Sequence, residues 1–191
     1  SAATLLMVET SYKPYNTNNV LEPFLLERRL LSKVWGGSAL HDELGIDANS
    51  GEVFGTTEEQ PGKTFPIGES WELFDRPEGS SKLRGSEVTL ADLLRKDADA
   101  VVGRGVRLGH NGAFPVMLKF LDAHQGSSLQ VHPDDRQASG DMGKAECCLV
   151  LAARDNARIV HGVVAGTDRD EFLAKCETSA VESMLYSFAP K

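Results

Sequence analysis

The sequence predicts a mainly β domain, an antiparallel sandwich or barrel carrying a few added α-helices. Three observations lead there. Strand-forming runs recur at 116–122, 127–132, 145–153 and 158–164. Turns containing glycine interrupt the chain between short runs, the pattern of antiparallel sheets. Helical spacing is confined to two stretches, near 89–97 and 167–188.

In chain order, residues 20–35 (VLEPFLLERRLLSKVW) mix apolar and charged side chains without a clean period, and Pro23 opposes one continuous helix. They read as an extended lead-in that runs over a sheet edge and stops at Gly36-Gly37. Residues 41–66 are rich in Gly, Glu, Asp and Thr and read as a long surface loop. Within it PGKT, 61–64, imitates the end of a phosphate loop, but that motif needs a glycine where the chain has Thr57. IGESWELFD, 67–75, alternates loosely around Trp71 and Phe74 and reads as a strand, and RPEGSSKLRG as a turn.

TLADLLRKD then has the marks of a helix: Thr89 as N-cap, Asp92 at the third helical position, and Leu90, Leu93 and Leu94 as its apolar stripe. The glycine-rich stretch 103–112 lacks the third glycine of a dinucleotide fingerprint, which would stand at Leu108, and reads as a flexible loop. Strands 116–122 and 127–132 follow with a turn at Gly126, and Pro133 ends the second. DDRQAS suits one helical turn, and 145–153 and 158–164 are apolar strands. Finally, Thr167 with Asp170 caps a helix, and apolar residues at 181, 184, 185 and 188 give a second. The two are expected to pack as a helical pair on the sheet.

A chain of 191 residues suits a single domain, and 41% hydrophobic residues suffice for a real core. The net charge of −8 argues against a nucleic-acid partner while leaving room for a small anion held by local lysines. Cys147, Cys148 and Cys176 are an odd set with no CxxC, read as reduced, buried thiols of a cytoplasmic protein. No apolar run reaches the roughly 20 residues of a membrane span, so no membrane partner is expected. No basic segment precedes an apolar one near residue 1, so no signal peptide is expected either.

The chemistry is expected within residues 119–146, KFLDAHQGSSLQVHPDDRQASGDMGKAE. On a strand, alternate side chains share a face, which would put Ser128, Gln130 and His132 together. Glu146 follows at a separation that suits a returning antiparallel strand, with Lys144 on its face. Imidazole, amide oxygen and carboxylate suit zinc, manganese, iron or a similar divalent ion, and Lys144 could hold a phosphate or a developing oxyanion. Taken singly, each residue has a plainer reading: His132 capping a strand, Gln130 facing solvent, Lys144 and Glu146 on an exposed turn. Their joint placement on facing strands favours a site.

KVWGG (33–37), IGESWEL (67–73), FP-x-x-x-KFLDA (114–123), SLQVHPDD (128–135) and GKAE (143–146) also occur in an order and spacing that resemble the type I mannose-6-phosphate isomerases, within the cupin superfamily. The resemblance implies a jelly-roll β-sandwich with helical additions and a divalent metal, usually zinc, on Gln130, His132 and Glu146. It implies a substrate pocket lined by Trp35, Glu69, Lys119, Ser128 and Lys144. A lysine in an apolar strand, as Lys119 is, needs an anion if buried, which favours the phosphate of a sugar phosphate. The family's fourth ligand, a histidine in a PAG-x-x-H motif, and its late arginine have no counterpart here, and His161 does not match that motif. The chain therefore resembles the N-terminal part of an isomerase or a shortened member.

The expected function is metal-dependent interconversion of mannose 6-phosphate and fructose 6-phosphate through an enediol, with Lys144, Glu69 or a metal-bound water as the base and Lys119 and Ser128 at the phosphate. A non-catalytic sugar-phosphate-binding cupin is the alternative. An iron oxygenase fits less well, because Gln130 stands where its first histidine would be.

Overall fold

The computed structural model describes residues 23–46, 52–54, 66–138 and 143–190. The sequence predicts one domain; the described residues group into two compact units, 23–144 and 145–190.

The first unit is built on β1 (Arg29–Ser32), α1 (Ala39–Leu44), β2 (Glu52–Phe54) and β3 (Ile67–Leu73). It continues through β4 (Asp75–Arg76), β5 (Gly79–Ser80), α2 (Leu90–Val102) and β6 (Leu118–Leu121). The main sheet has the order β2-β1-β3-β6. β3 runs antiparallel to both β1 and β6, and β1 and β2 are parallel. Two expectations are corrected here. The lead-in segment supplies an inner strand rather than crossing an edge, and the presumed surface loop supplies both α1 and β2. One cause explains both. Parallel neighbours cannot be joined by a tight turn; the chain must cross over the sheet, usually by way of a helix. A six-residue helix is marginal alone, and α1 is held by Leu40, which buries with Leu30 and Ile46 against Leu44, Ile67 and Phe120. PGKT lies outside the described residues.

Register decides which side chains meet. Leu30, Ser70 and Phe120 stand across from one another toward this core, with Leu30 and Ser70 fully buried. Their neighbours Arg29, Trp71 and Lys119 stand across from one another on the opposite face. β4 and β5 form a hairpin over Pro77-Glu78, and the loop 103–112 contains one 3₁₀ turn, His110–Gly112. α2 begins as expected, with a capping box between Thr89 and Asp92 and Leu90, Leu93 and Leu94 buried. It outlasts the predicted 97 because Asp97, itself non-helical, accepts the backbone N–H of Ala100 at 3.1 Å and starts a further turn.

Residues 127–132 form no strand, and neither do 145–153 in the second unit. Both runs have the right residues, but no strand among the described residues pairs with them, and Val131 and Leu149 are exposed. Cys147 and Cys148 are consequently exposed, as is Cys176, and none is in a disulfide, which corrects the expectation of buried thiols.

In the second unit, β7 (Ile159–Val163) pairs antiparallel with β8 (Leu185–Phe188), and α3 (Arg169–Lys175) lies between them in sequence. Asp168, not Thr167, caps α3, accepting the N–H groups of Asp170 and Glu171. Thr167 instead donates to the carbonyl of Val164. The expected second helix is a 3₁₀ turn, Ser179–Met184, running into β8. The pattern at 181, 184, 185 and 188 fits both, since its last two positions also suit the start of a strand. No helix among the described residues is long and apolar enough to cross a membrane.

Candidate active site

Glu69 sits on the inner strand β3 with only 8% of its surface exposed. A buried carboxylate must find donors or cations, and among the described residues it has three partners. Trp71, two residues along and on the same face, donates Nε1–H to Oε2 at 2.8 Å. Lys119, on β6, brings Nζ to the same oxygen at 3.3 Å. Lys33, just past the end of β1, brings Nζ to Oε1 at 3.5 Å. Thus the strands on either side of β3 each lead to a lysine at this carboxylate. Burial by itself raises the Glu69 carboxyl pKa, but the Trp71 hydrogen bond and the charges of Lys119 and Lys33 outweigh it and hold the group below the usual glutamate range.

Glycines make this assembly possible. A Cβ on Gly68 would stand 2.6 Å from Lys33 Cβ and 3.0 Å from the Trp35 ring, so the lysine stem and the indole both use the space a side chain would fill. A Cβ on Gly36 would stand 2.8 Å from the Gly68 nitrogen. KVWGG and IGE therefore interlock. Asp122 secures the same corner: it is buried, and its Oδ2 accepts the N–H of Ala39 at 2.7 Å at the start of α1.

Ser128, Gln130, His132 and Lys144 gather on a different segment. The Gln130 amide nitrogen donates to Ser128 Oγ at 3.0 Å, so these alternate residues do share a side although no strand forms. Lys144 Nζ approaches His132 Nε2 to 3.3 Å, and its backbone N–H bonds the Pro133 carbonyl at 3.1 Å. The loop is closed further by Gly143 N–H on Asp135 Oδ1 at 2.7 Å. Next to it, Arg136 and the backbone N–H of Gln137 hold the Asp134 carboxyl below its usual range.

The predicted residues thus fall into two sets: Glu69 and Lys119 on the sheet with Trp35 on the turn after β1, and Ser128, Gln130, His132 and Lys144 on the loop. Glu146 belongs to the second unit. Lys33 and Asp122 were missed as functional residues, although KVWGG and KFLDA contain them. The donor set of Gln130, His132 and Glu146 fits a zinc-like ion in chemistry, and the Gln130 amide turns its nitrogen, the non-ligating atom, toward Ser128. Among the described residues no three His, Cys, Asp or Glu side chains gather as a metal-holding group.

Residues 24–156 match the family model of the phosphomannose isomerase type I catalytic domain. Over 176 residues, covering 83% of the chain and 50% of the relative, the chain is 30% identical to the mannose-6-phosphate isomerase of Streptococcus mutans. The crystal structure of the Bacillus subtilis mannose 6-phosphate isomerase superposes with a TM-score of 0.67 at 27% identity, over 88% of this chain and 50% of that one. The chain spans about half the length of the curated relatives it matches. The family match contains every candidate residue from Trp35 to Glu146.

Proposed function

The chain belongs to the type I phosphomannose isomerase family, and from that premise we propose that it interconverts mannose 6-phosphate and fructose 6-phosphate. The observation that carries this reading is the family match over residues 24–156, within which all eight candidate residues fall. The finer fold assignment, a cupin-type jelly roll, belongs to the same proposal and is supported by the predominantly antiparallel strand pairing. A cytoplasmic setting agrees with three cysteines that form no disulfide. The only partner required is a sugar phosphate; nucleic acid and membrane have no part in it.

Gln130, His132 and Glu146 would hold a divalent ion, zinc by the family resemblance. When bound, such an ion supplies Lewis-acid polarisation of the sugar's oxygens. The remaining work falls to the chain's own side chains. Isomerisation moves a proton between C1 and C2 through an enediol and therefore needs a group that takes the proton from one carbon and returns it to the other. Of the two proposed catalytic residues, Lys144 is the one beside a proposed ligand, with Nζ 3.3 Å from His132 Nε2, and it takes that role. Glu69 is ionised and engaged by three donors, so it is a weak base and serves to fix Lys119 and Lys33. Lys119 offers its ammonium group to the phosphate, Ser128 a hydroxyl, and Trp35 an apolar wall.

Variants separate these roles. His132→Ala, Gln130→Ala and Glu146→Ala are expected to lose bound zinc and turnover together. Lys144→Met is expected to keep its zinc while turnover falls by roughly 10²–10⁴-fold. Metal analysis and a coupled isomerase assay read both quantities, and unchanged turnover in Lys144→Met contradicts the assignment. Sugar-phosphate binding in calorimetry without any product would make the protein a non-catalytic binder instead.

A further inference from the structure

The lysine pair around Glu69 is more than a salt bridge. One carboxylate faces two ammonium groups, so within this triad cations outnumber anions two to one. The anion is nearly buried, whereas the Lys33 and Lys119 side chains are 32% and 29% exposed. Each lysine is partly exposed and has donors beyond its contact with Glu69, since an ammonium has three N–H groups and that contact uses one. The first two carbons of the Lys33 side chain pass over Gly68, where the Trp35 ring also packs, which restricts the base of the lysine stem and lowers the ordering cost of binding a ligand.

We propose that Lys33 is a substrate-binding residue, forming with Lys119 a two-lysine clamp for the phosphate group, and that Glu69 spaces and fixes the two ammonium groups. This rests on the reading that the substrate is a sugar phosphate. It assigns a second phosphate-facing cation from KVWGG, where Trp35 alone was expected to touch substrate. The geometry favours a tetrahedral dianion over a neutral sugar hydroxyl, because a dianion can engage both cations at once.

Two measurements on the zinc-loaded protein test it. In the coupled assay, Lys33→Gln is expected to raise KM roughly tenfold, as loss of one charge-assisted hydrogen bond would, with kcat within about twofold. Its inhibition constant for inorganic phosphate should rise in the same proportion, and Lys33→Arg should restore both. A purely structural role would lower thermal stability without this selective rise. Unchanged KM and unchanged phosphate inhibition in a folded Lys33→Gln protein overturn the clamp. The second measurement needs no variant: titrating inorganic phosphate into wild-type protein labelled with ¹³C at the lysine ε-carbons. Shifts at Lys33 and Lys119 together support the clamp, and a shift at Lys119 alone, or at neither, overturns it. Shifts at both lysines in a protein that turns over no mannose 6-phosphate would leave the clamp standing and remove the isomerase reading.

Discussion

Glu69 shows how a single side chain organises its surroundings. Its pKa is held down by Trp71, Lys119 and Lys33 against the opposing effect of burial. A carboxyl whose pKa is lower folded than unfolded stabilises the protein fully above its unfolded value, about 4.3 for glutamate, and that contribution fades as pH falls through the lower folded value. Thermal melts between pH 7 and 3 should therefore show a steep acid loss in the wild type and a shallower one in Glu69→Gln. At neutral pH the variant should be less stable by about 1–3 kcal/mol, the cost of leaving buried or half-buried charged partners without their anion. Equal acid slopes in the two proteins would contradict the ionised, triply held carboxylate. At this scale the sequence was only partly legible. Lys119 stood out because a lysine amid VMLKFL demands an anion, but nothing local said that this anion includes Glu69, fifty positions away in sequence. Lys33, in a mixed polar segment, gave no such signal and emerges only from the register of β1 on β3.

Elements were legible where their cause is local. α2 declared itself through Thr89, Asp92 and three leucines, and the structure has that box and that stripe. Thr89→Ala should cost about 0.5–2 kcal/mol, measurable as a fall in the denaturation midpoint with an unchanged slope. β3, β6 and β7 were legible from short apolar or alternating runs. The parallel pairing of β1 with β2 was not, because the choice of a strand partner is non-local and leaves no periodic trace in either segment. Its consequence, a crossover helix, hid at the start of a Gly- and Glu-rich stretch, with Leu40 just before it and Ile46 within it as the buried apolar anchors. Leu40→Ala should cost about 2–5 kcal/mol, since it empties the contact between α1 and the sheet, and a loss below 1 kcal/mol would show that α1 is not pinned by that contact. The runs at 127–132 and 145–153 teach the converse. Strand propensity is local, but a strand requires a partner, and none pairs with them among the described residues. The residues predicted on facing strands accordingly lie on a closed loop around His132 and Lys144, where Gln130 still contacts Ser128.

For the molecule as a whole, the acidic balance of −8 and the local lysine pair are complementary. A net negative surface does not prevent capture of a small anion when two cations converge over one buried carboxylate, because short-range attraction at a partly desolvated site exceeds screened repulsion from distant charges. In the proposed reading, Trp35, Lys33, Glu69 and Lys119 would supply an anion grip and the loop with Gln130, His132 and Lys144 a place to move a proton, the two chemistries that isomerisation of a sugar phosphate needs. The most direct test is to incubate the zinc-loaded protein with mannose 6-phosphate and follow the sugar by NMR. Fructose 6-phosphate should accumulate to an equilibrium mixture that is also reached from the fructose side, whereas mannose 6-phosphate left unchanged by folded, zinc-loaded protein would contradict the assignment.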